Sequence, residues 1–412
     1  MSATTDRMPG TTGAAFLGAP EVRRVILSLL AAFQDAQIRA GRLSRDCAVA
    51  AVVDGRGPEE QDGLALDDAQ FGIDSLGLLD LVGRVDVFFG LAATGIEDHL
   101  FLHRRIGDWV HLVQSHLRRM GCTARITFET SGSVGTPKRI SHATPTLESE
   151  LAALRSGPLG GRGSRTRVLS AVPDHHIYGF LWGVLLPARC GWSVVNLPHG
   201  APGPILRHAR PGDIVLATPF TWDRIAALDR RVPTGVTGVS SGGPATAATW
   251  AAVEAAGLSR MIEVYGSTET GGVGWRDAEG APFRLFADIA REGGALQRLG
   301  VELALQDHVE WDGPEAFRVI GRRDETVQVA GVNVDLAALR RLLAAQPGVS
   351  DVAVRPDGER LKAFVATAEP PEAGLEQRLR TAMLALPAPA RPVRYAFGPH
   401  LPLTATGKPA NW

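Results

Sequence analysis

Thr130-Ser131-Gly132-Ser133-Val134-Gly135-Thr136-Pro137-Lys138 crowds hydroxyls, glycines and one lysine into a single short run. Glycines let backbone N–H groups converge on anionic oxygens, the Ser and Thr hydroxyls add donors, and the lysine brings a mobile positive charge. The run therefore reads as a wrap around a polyphosphate. It follows residues 125–129, whose alternation reads as a strand, and precedes residues 144–154, which carry amphipathic helical periodicity. Pro137 precedes the lysine and Arg139 follows it, so the G-x-x-x-x-G-K-[ST] spacing of a Walker A loop is absent. The bland alternative is an ordinary flexible turn.

Outward from this loop, short apolar runs at 167–173, 192–198, 213–219, 235–241 and 261–267 alternate with helical patterns at 178–190, 221–231 and 246–257. Such alternation predicts an α/β fold, a mostly parallel sheet covered by helices. Ligands of such folds gather at the carboxyl ends of strands, which would bring the loop at 130, Ser241-Gly242-Gly243 and Tyr265-Gly266-Ser267 to one crevice. From about residue 321 the pattern becomes that of a small α+β domain: a strand at 326–334, a helix at 336–345, strands at 349–355 and 361–366, a helix at 373–386 and a last extended piece. The first 120 residues are helical in pattern, at 22–38, 73–89 and 105–117, with Asp74 or Ser75 placed to cap the second. The expected domains are thus 1–120, 121–320 and 321–412.

A chain of 412 residues that is 45% hydrophobic has ample material for a core. Its formal net charge of −1 gives no electrostatic footprint for nucleic acid or an anionic membrane. No charged start followed by an apolar stretch marks an export signal, and the most apolar segment, 179–197, is broken by Pro187 and Arg189. Cys47, Cys122 and Cys190 show no C-x-x-C spacing, which argues against a disulfide framework or a zinc site and fits a reducing cytoplasm.

The phosphate loop, Tyr265-Gly266-Ser267-Thr268-Glu269, Arg322 with Asp324, and a terminal Leu401-Pro402-Leu403-Thr404-Ala405-Thr406-Gly407-Lys408 occur in one order. Together they resemble the adenylate-forming family of acyl-CoA synthetases, luciferases and peptide-synthetase adenylation domains. The resemblance implies that Thr130, Ser131, Gly132, Ser133, Gly135, Thr136 and Lys138 close over the β- and γ-phosphates of ATP. It implies that Tyr265 and Gly266–Ser267 hold adenine, that Thr268 bonds the α-phosphate, and that Glu269 binds Mg²⁺; a tyrosine ring and a hard carboxylate suit those roles. Asp307 resembles the ribose-binding aspartate, although Leu305-Gln306 replaces the Thr-Gly that usually precedes it, and Arg322 the arginine that joins it on the ribose. Asp324 matches the hinge position, and Gly331 the glycine that rotates in for the thioester step; surface ion pairs and a β-bulge glycine are the ordinary readings of these positions. His176, in Pro173-Asp174-His175-His176-Ile177-Tyr178-Gly179, and Ser241, Gly242 and Gly243 match the acyl-pocket segments.

Lys408 matches the catalytic lysine of the family. Its ammonium would sit between the substrate carboxylate and the α-phosphate, offsetting their repulsion as pyrophosphate leaves. Without the motif, a lysine so close to the end of the sequence reads as a frayed, solvated terminus. The chain is short for the family, and its compactness together with a carrier-like front resembles the 4-coumarate:CoA ligases associated with photoactive yellow protein. That resemblance implies an aryl acid, 4-hydroxycinnamate, with ATP, Mg²⁺ and CoA as reaction partners, and a mobile small domain. Phe71–Leu76 and residues 106–110 also resemble an acyl carrier protein, in which Ser75 would carry phosphopantetheine and receive the acyl group; an N-cap role for Ser75 is the alternative.

Two other readings stand beside these. Gly238-Val239-Ser240-Ser241-Gly242 satisfies G-x-S-x-G, the nucleophile elbow of a serine esterase, with Asp307 and His308 or His400 as partners. The whole chain could also be a degenerate scaffold that binds an adenylate without turnover.

Overall fold

The computed structural model describes residues 15–39, 41–53, 55–129, 138–163, 165–228, 230–322, 326–329, 332–357, 360–368, 371–384, 386–403, 410 and 412. Contacts group the chain into two compact units, Met1–Ala304 and Leu305–Trp412.

In the first unit the apolar runs become strands β3 (Arg167–Ser170), β4 (Ser193–Asn196), β5 (Ile214–Ala217), β6 (Thr237–Ser240) and β7 (Arg260–Ser267). They lie in the order β4-β3-β5-β6-β7 with every pair parallel. Strands β5 and β6 are buried at every position, which is why the sequence shows continuous apolar runs instead of alternation. The sheet then turns antiparallel through β8 (Gly271–Arg276) and β9 (Phe283–Leu285). A separate antiparallel set follows, β10 (Ile289–Glu292), β11 (Ala295–Arg298) and β12 (Val301–Glu302). None of this antiparallel region was evident as strands in the sequence, where it is short, polar and interrupted by glycine.

The glycine-rich run is not housed as the sequence suggests. It joins β1 (Arg125–Glu129) to β2 (Arg139–Ala143), an antiparallel two-stranded sheet of its own, so a strand intervenes before the helix and the loop does not end a strand of the parallel sheet. The Glu129–Arg139 ion pair, 3.1 Å, closes the base of that hairpin.

The front helices α1 (Ala19–Arg39), α2 (Ser75–Phe89) and α3 (Ile106–Met120) form where helical periodicity predicts them. The α2 start is capped by Asp74, whose carboxylate accepts the Gly77 N–H at 2.7 Å. These helices join the body of the unit through an aromatic cluster. Phe88 on α2 meets Phe128 on β1 at 5.5 Å and Phe180 at 5.8 Å, and Phe128 meets Phe180 at 5.5 Å, all edge-on. Phe180 begins a π-helical turn, Phe180–Leu185, in a helical stretch buried against the sheet.

The second unit contains the hairpin β13 (Asp307–Trp311) and β14 (Ala316–Arg322). Where the sequence suggests one strand over 326–334 there are two, β15 (Thr326–Val329) and β16 (Val332–Asp335), paired antiparallel. Helix α4 (Thr144–Ser156) lies in the first unit; in the second, α5 (Leu336–Ala344) is capped by Asp335, whose carboxylate accepts the Ala338 N–H. Strands β17 (Asp351–Asp357), β18 (Arg360–Ala366) and β19 (Pro392–Gly398) complete the unit, β18 and β19 running parallel. Leu339, Leu343, Val352, Leu361 and Leu379 form its core.

Phe128 is 1% exposed at the centre of three aromatic contacts, so Phe128→Ala opens a cavity and should cost about 3–5 kcal/mol. Urea unfolding followed by tryptophan fluorescence checks this; a loss below about 1 kcal/mol would show that the cluster does not anchor β1.

Candidate active site

Strands β6 and β7 run parallel with Ser240 opposite Glu263, so the segments leaving their carboxyl ends lie side by side. The Ser241 hydroxyl donates to the Val264 carbonyl at 3.0 Å, which fastens Ser241-Gly242-Gly243 beside Tyr265. Gly242 and Gly243 are exposed there. The half-buried Tyr265 ring rests against Phe283 with centroids 5.7 Å apart. Gly266 must be glycine: a Cβ would come within 2.2 Å of the Gly271 carbonyl where β7 turns into β8.

The turn between these strands is closed by its own hydroxyls. Ser267 N–H donates to Thr270 Oγ1 at 3.1 Å, and Thr270 N–H donates back to Ser267 Oγ at 3.2 Å. Thr268 and Glu269 stand at the tip, half-buried, and among the described residues their side chains make no hydrogen bond. From the phosphate-loop hairpin, His142 on β2 reaches this turn, its Nε2–H donating to the Thr268 carbonyl at 2.7 Å. Burial lowers the His142 pKa, with Arg298 and Arg125 acting the same way against the Thr268 carbonyl, so the ring is neutral near pH 7. Thus two of the segments expected to share a site are joined through a histidine that sequence reasoning passed over.

Beneath the turn lies a buried ionic cluster. Arg298, 1% exposed, donates from Nη1 to Glu150 Oε2 at 3.0 Å and to the Thr270 carbonyl at 2.9 Å. Its Nη2 donates to the Gly272 carbonyl at 2.6 Å, and its Nε to Asp288 at 2.6 Å. Glu150 Oε1 accepts the Gly272 N–H at 2.8 Å. Gly271 has φ +68°, and a Cβ there would stand 2.3 Å from Glu150 Oε2, so only glycine admits the carboxylate. Burial raises the Glu150 pKa to about 7, against the lowering effect of Arg298 and of the Gly272 N–H. The one sequence signal was a glutamate on the apolar side of α4, between the buried Leu147 and Leu154.

On the proposed acyl side, His176 is exposed and immediately precedes the helical stretch that begins at Ile177. Tyr178 donates to the Val239 carbonyl at 2.8 Å, tying that stretch to the end of β6. Helix α1 reaches the same segment: Arg24 donates to Asp174 at 2.8 Å and to Asn196 at 2.9 Å, and Ser28 meets His175 at 2.8 Å. Burial lifts the Asp174 pKa to about 6 despite Arg24.

In the second unit, Asp307 and Arg322 are register partners across β13 and β14. Thr130–Thr136, Asp324, Gly331 and Lys408 lie outside the described residues, while Lys138 is exposed. Their flanks are described for the last of these: Ala410 N–H donates to the Pro402 carbonyl at 2.7 Å. The Trp412 indole lies under Arg355 at 4.6 Å and Lys362 at 5.2 Å, edge-on to Phe364 at 5.9 Å.

The esterase reading does not survive this geometry. Ser240 is the last residue of a strand, 0% exposed and without a left-handed backbone, and six residues separate it from the next helix, Ala247–Ala255. A nucleophile elbow needs a sharp strand-to-helix turn that exposes the hydroxyl.

The AMP-binding enzyme family model matches residues 123–302. The chain is 46% identical to the 4-coumarate–CoA ligase of Cereibacter sphaeroides, across 95% of this chain and 96% of that one. It is 36% identical to the 4-coumarate–CoA ligase of Halorhodospira halophila, across 95% and 99%. The chain belongs to the AMP-binding, adenylate-forming enzymes. Its fold matches that of ATP-bound MatB from Rhodopseudomonas palustris with a TM-score of 0.61 at 17% identity, covering 98% of this chain and 95% of that one. Its compact length is therefore shared with its curated relatives. Among the described residues no helix is long and apolar enough to cross a membrane.

For the Mg²⁺ that the sequence resemblance implies, the described residues offer a single carboxylate. Among the described residues no group of three His, Cys, Asp or Glu could hold an ion alone. Glu269 offers one carboxylate at the turn tip, which suits Mg²⁺ that takes its remaining ligands from phosphates and water.

Because the folded-state Glu150 pKa is raised above the unfolded value, the folded protein binds the extra proton between about pH 4.5 and 7. Stability from this group is full below that window and falls as pH rises through it, by up to about 3 kcal/mol. Glu150→Gln removes that dependence, so the stability difference between variant and parent should move in the variant's favour from pH 5 to pH 8. Urea midpoints across that range test it, and a pH-independent difference would show that Glu150 stays ionised throughout.

Proposed function

We propose that the protein joins 4-coumarate, or an aryl acid of that shape, to CoA through an acyl-adenylate. The observation that carries this reading is the likeness to 4-coumarate–CoA ligases along nearly the whole chain. The turn at 265–271, tied to Ser241 and to the phosphate-loop hairpin, supports the same conclusion.

In the first half-reaction a carboxylate oxygen attacks the α-phosphorus of ATP, the bond to the bridging oxygen breaks and pyrophosphate leaves. Thr130, Ser131, Gly132, Ser133, Gly135, Thr136 and Lys138 grip the β- and γ-phosphates. Tyr265 covers adenine, with Gly266 and Ser267 keeping its loop close, and Thr268 bonds the α-phosphate. Asp307 and Arg322 take the ribose hydroxyls; their pairing across one hairpin suits two groups acting on adjacent oxygens. Glu269 would hold Mg²⁺, which supplies charge neutralisation on the phosphates. Lys408 offsets the repulsion between carboxylate and α-phosphate.

In the second half-reaction the residues after Asp324 turn about that position and bring Gly331 to the acyl site. The CoA sulfur then attacks the acyl carbon, AMP leaves, and the thiol proton passes to solvent. His176 and the Ser241–Gly243 segment border the acyl group, and small residues there leave room for a flat ring.

Transfer to phosphopantetheine on Ser75 is a second acceptor reading. It is favoured by one observation: Asp74 caps α2, leaving Ser75 exposed beside the exposed Leu76. An unchanged intact mass after treatment with a pantetheinyl transferase and CoA would dismiss it.

AMP release measured over a panel of aryl and fatty acids, with and without CoA, tests the main reading. Sustained turnover should require both 4-hydroxycinnamate and CoA, and faster turnover with a fatty acid would overturn the substrate class. Lys408→Ala should lower acid-dependent ATP–pyrophosphate exchange at least a hundredfold while leaving thioester formation from supplied acyl-adenylate within about threefold. Equal loss in both assays would contradict the division of labour.

A further inference from the structure

We infer that Arg298 and Glu150 are positioning residues for the adenylation half-reaction, a buried brace that sets where Thr268 and Glu269 meet the nucleotide. This rests on the proposed role of the turn at 265–271, and it adds residues that neither the motifs nor the family likeness assign.

The brace grips the turn from beneath. One guanidinium donates to the carbonyls of both Thr270 and Gly272, and Glu150 accepts the intervening strand's Gly272 N–H, so the backbone on the far side of Glu269 is held at three points. His142 holds the near side through the Thr268 carbonyl. Thr268 and Glu269 lie between these grips. The planar fork of arginine matters here, since it directs several N–H groups at fixed angles where an ammonium would act as a point charge.

The brace also connects separate parts of the unit. Glu150 is on α4, which starts directly after β2 of the phosphate-loop hairpin, whereas Arg298 ends β11 and is anchored by Asp288. Gly271 and Gly272 leave space for the Glu150 carboxylate against the turn; a Cβ on Gly272 would stand 2.7 Å from Oε1. Ordinary core stability would be served as well by apolar side chains of similar volume, because desolvating charges offsets much of what their pairing returns. Every donor named here ends on the turn or on a residue that orients the guanidinium, the arrangement expected of a holder of geometry.

The test uses the full chain with 4-hydroxycinnamate, MgATP and CoA. Arg298→Lys keeps a cation for Glu150 and Asp288 but lacks the fork. It should raise KM for MgATP and lower acid-dependent pyrophosphate exchange by about tenfold or more, with KM for the acid within about twofold. Glu150→Ala should do the same, and Glu150→Gln, which keeps an acceptor for Gly272, should recover most of the loss. Near-UV circular dichroism and the melting temperature identify folded variants, and Arg298→Gln with Glu150→Gln and Asp288→Asn in one chain, which leaves no charge of the cluster unpaired, should show the same rise in KM for MgATP should a single replacement unfold. A folded Arg298→Lys protein with parental KM for MgATP, or one that loses acid and MgATP affinity equally, would overturn the brace. Failure of the parent protein to catalyse pyrophosphate exchange with any acid would instead overturn the adenylation reading itself.

Discussion

The first unit is organised around a guanidinium taken out of water. Arg298 is held by two carboxylates and two carbonyls, so its charge and its N–H groups are met without solvent. Burial raises the carboxyl of Glu150, the acid deeper in the core, to about 7 against the pull of Arg298, and the neighbouring Asp288 adds a smaller push in the same direction. Such a cluster tolerates little displacement. Moving any partner exposes another buried charge, and the partners come from α4, the β7–β8 turn and the β10–β11 hairpin. The cluster therefore joins three segments that are far apart in sequence at one buried point.

That junction explains why the turn at its top can remain open to a ligand. Ser267 and Thr270 satisfy each other, and the backbone is bonded from below, so the tip needs nothing from Thr268 or Glu269 to hold its shape. Their side chains are left for other partners. The front helices serve the segment before His176 in a similar way. Arg24 and Ser28 of α1 grip Asp174, Asn196 and His175, so a helix from the start of the chain supports the segment that precedes His176. In a chain this compact, that support comes from the helical front and not from additional sheet.

Much of this was legible, for reasons that differ from element to element. Strands such as 214–217 and 237–240 are buried on both faces and announce themselves as apolar runs. Helices such as 106–120 announce themselves by a single apolar stripe. The strands between 271 and 298 escaped because they are short, charged on their outer faces and rich in glycine, which suits turns as readily as strands. The split of 326–334 into two antiparallel strands was missed because each half alternates on its own, Val327 with Val329 and Val332 with Val334. For the site, loops with dense chemistry were visible by motif, whereas Arg298 and Glu150, 148 residues apart, had no local signature beyond a glutamate on an apolar stripe. His142 was hidden for the same reason: its role is a single bond to a carbonyl 126 residues away.

The second unit follows a different logic, in which strand register and not a buried ionic cluster places the candidate groups. Asp307 and Arg322 share one register position on a hairpin, so their separation is set by strand geometry and not by side-chain packing. Near the end of the sequence, Ala410 N–H donates to the Pro402 carbonyl, and the half-buried Trp412 indole packs against Arg355 of β17 and Lys362 and Phe364 of β18. Trp412, which by position reads as part of a frayed terminus, is thus packed on a folded sheet, its ring held against two cations and a phenyl edge.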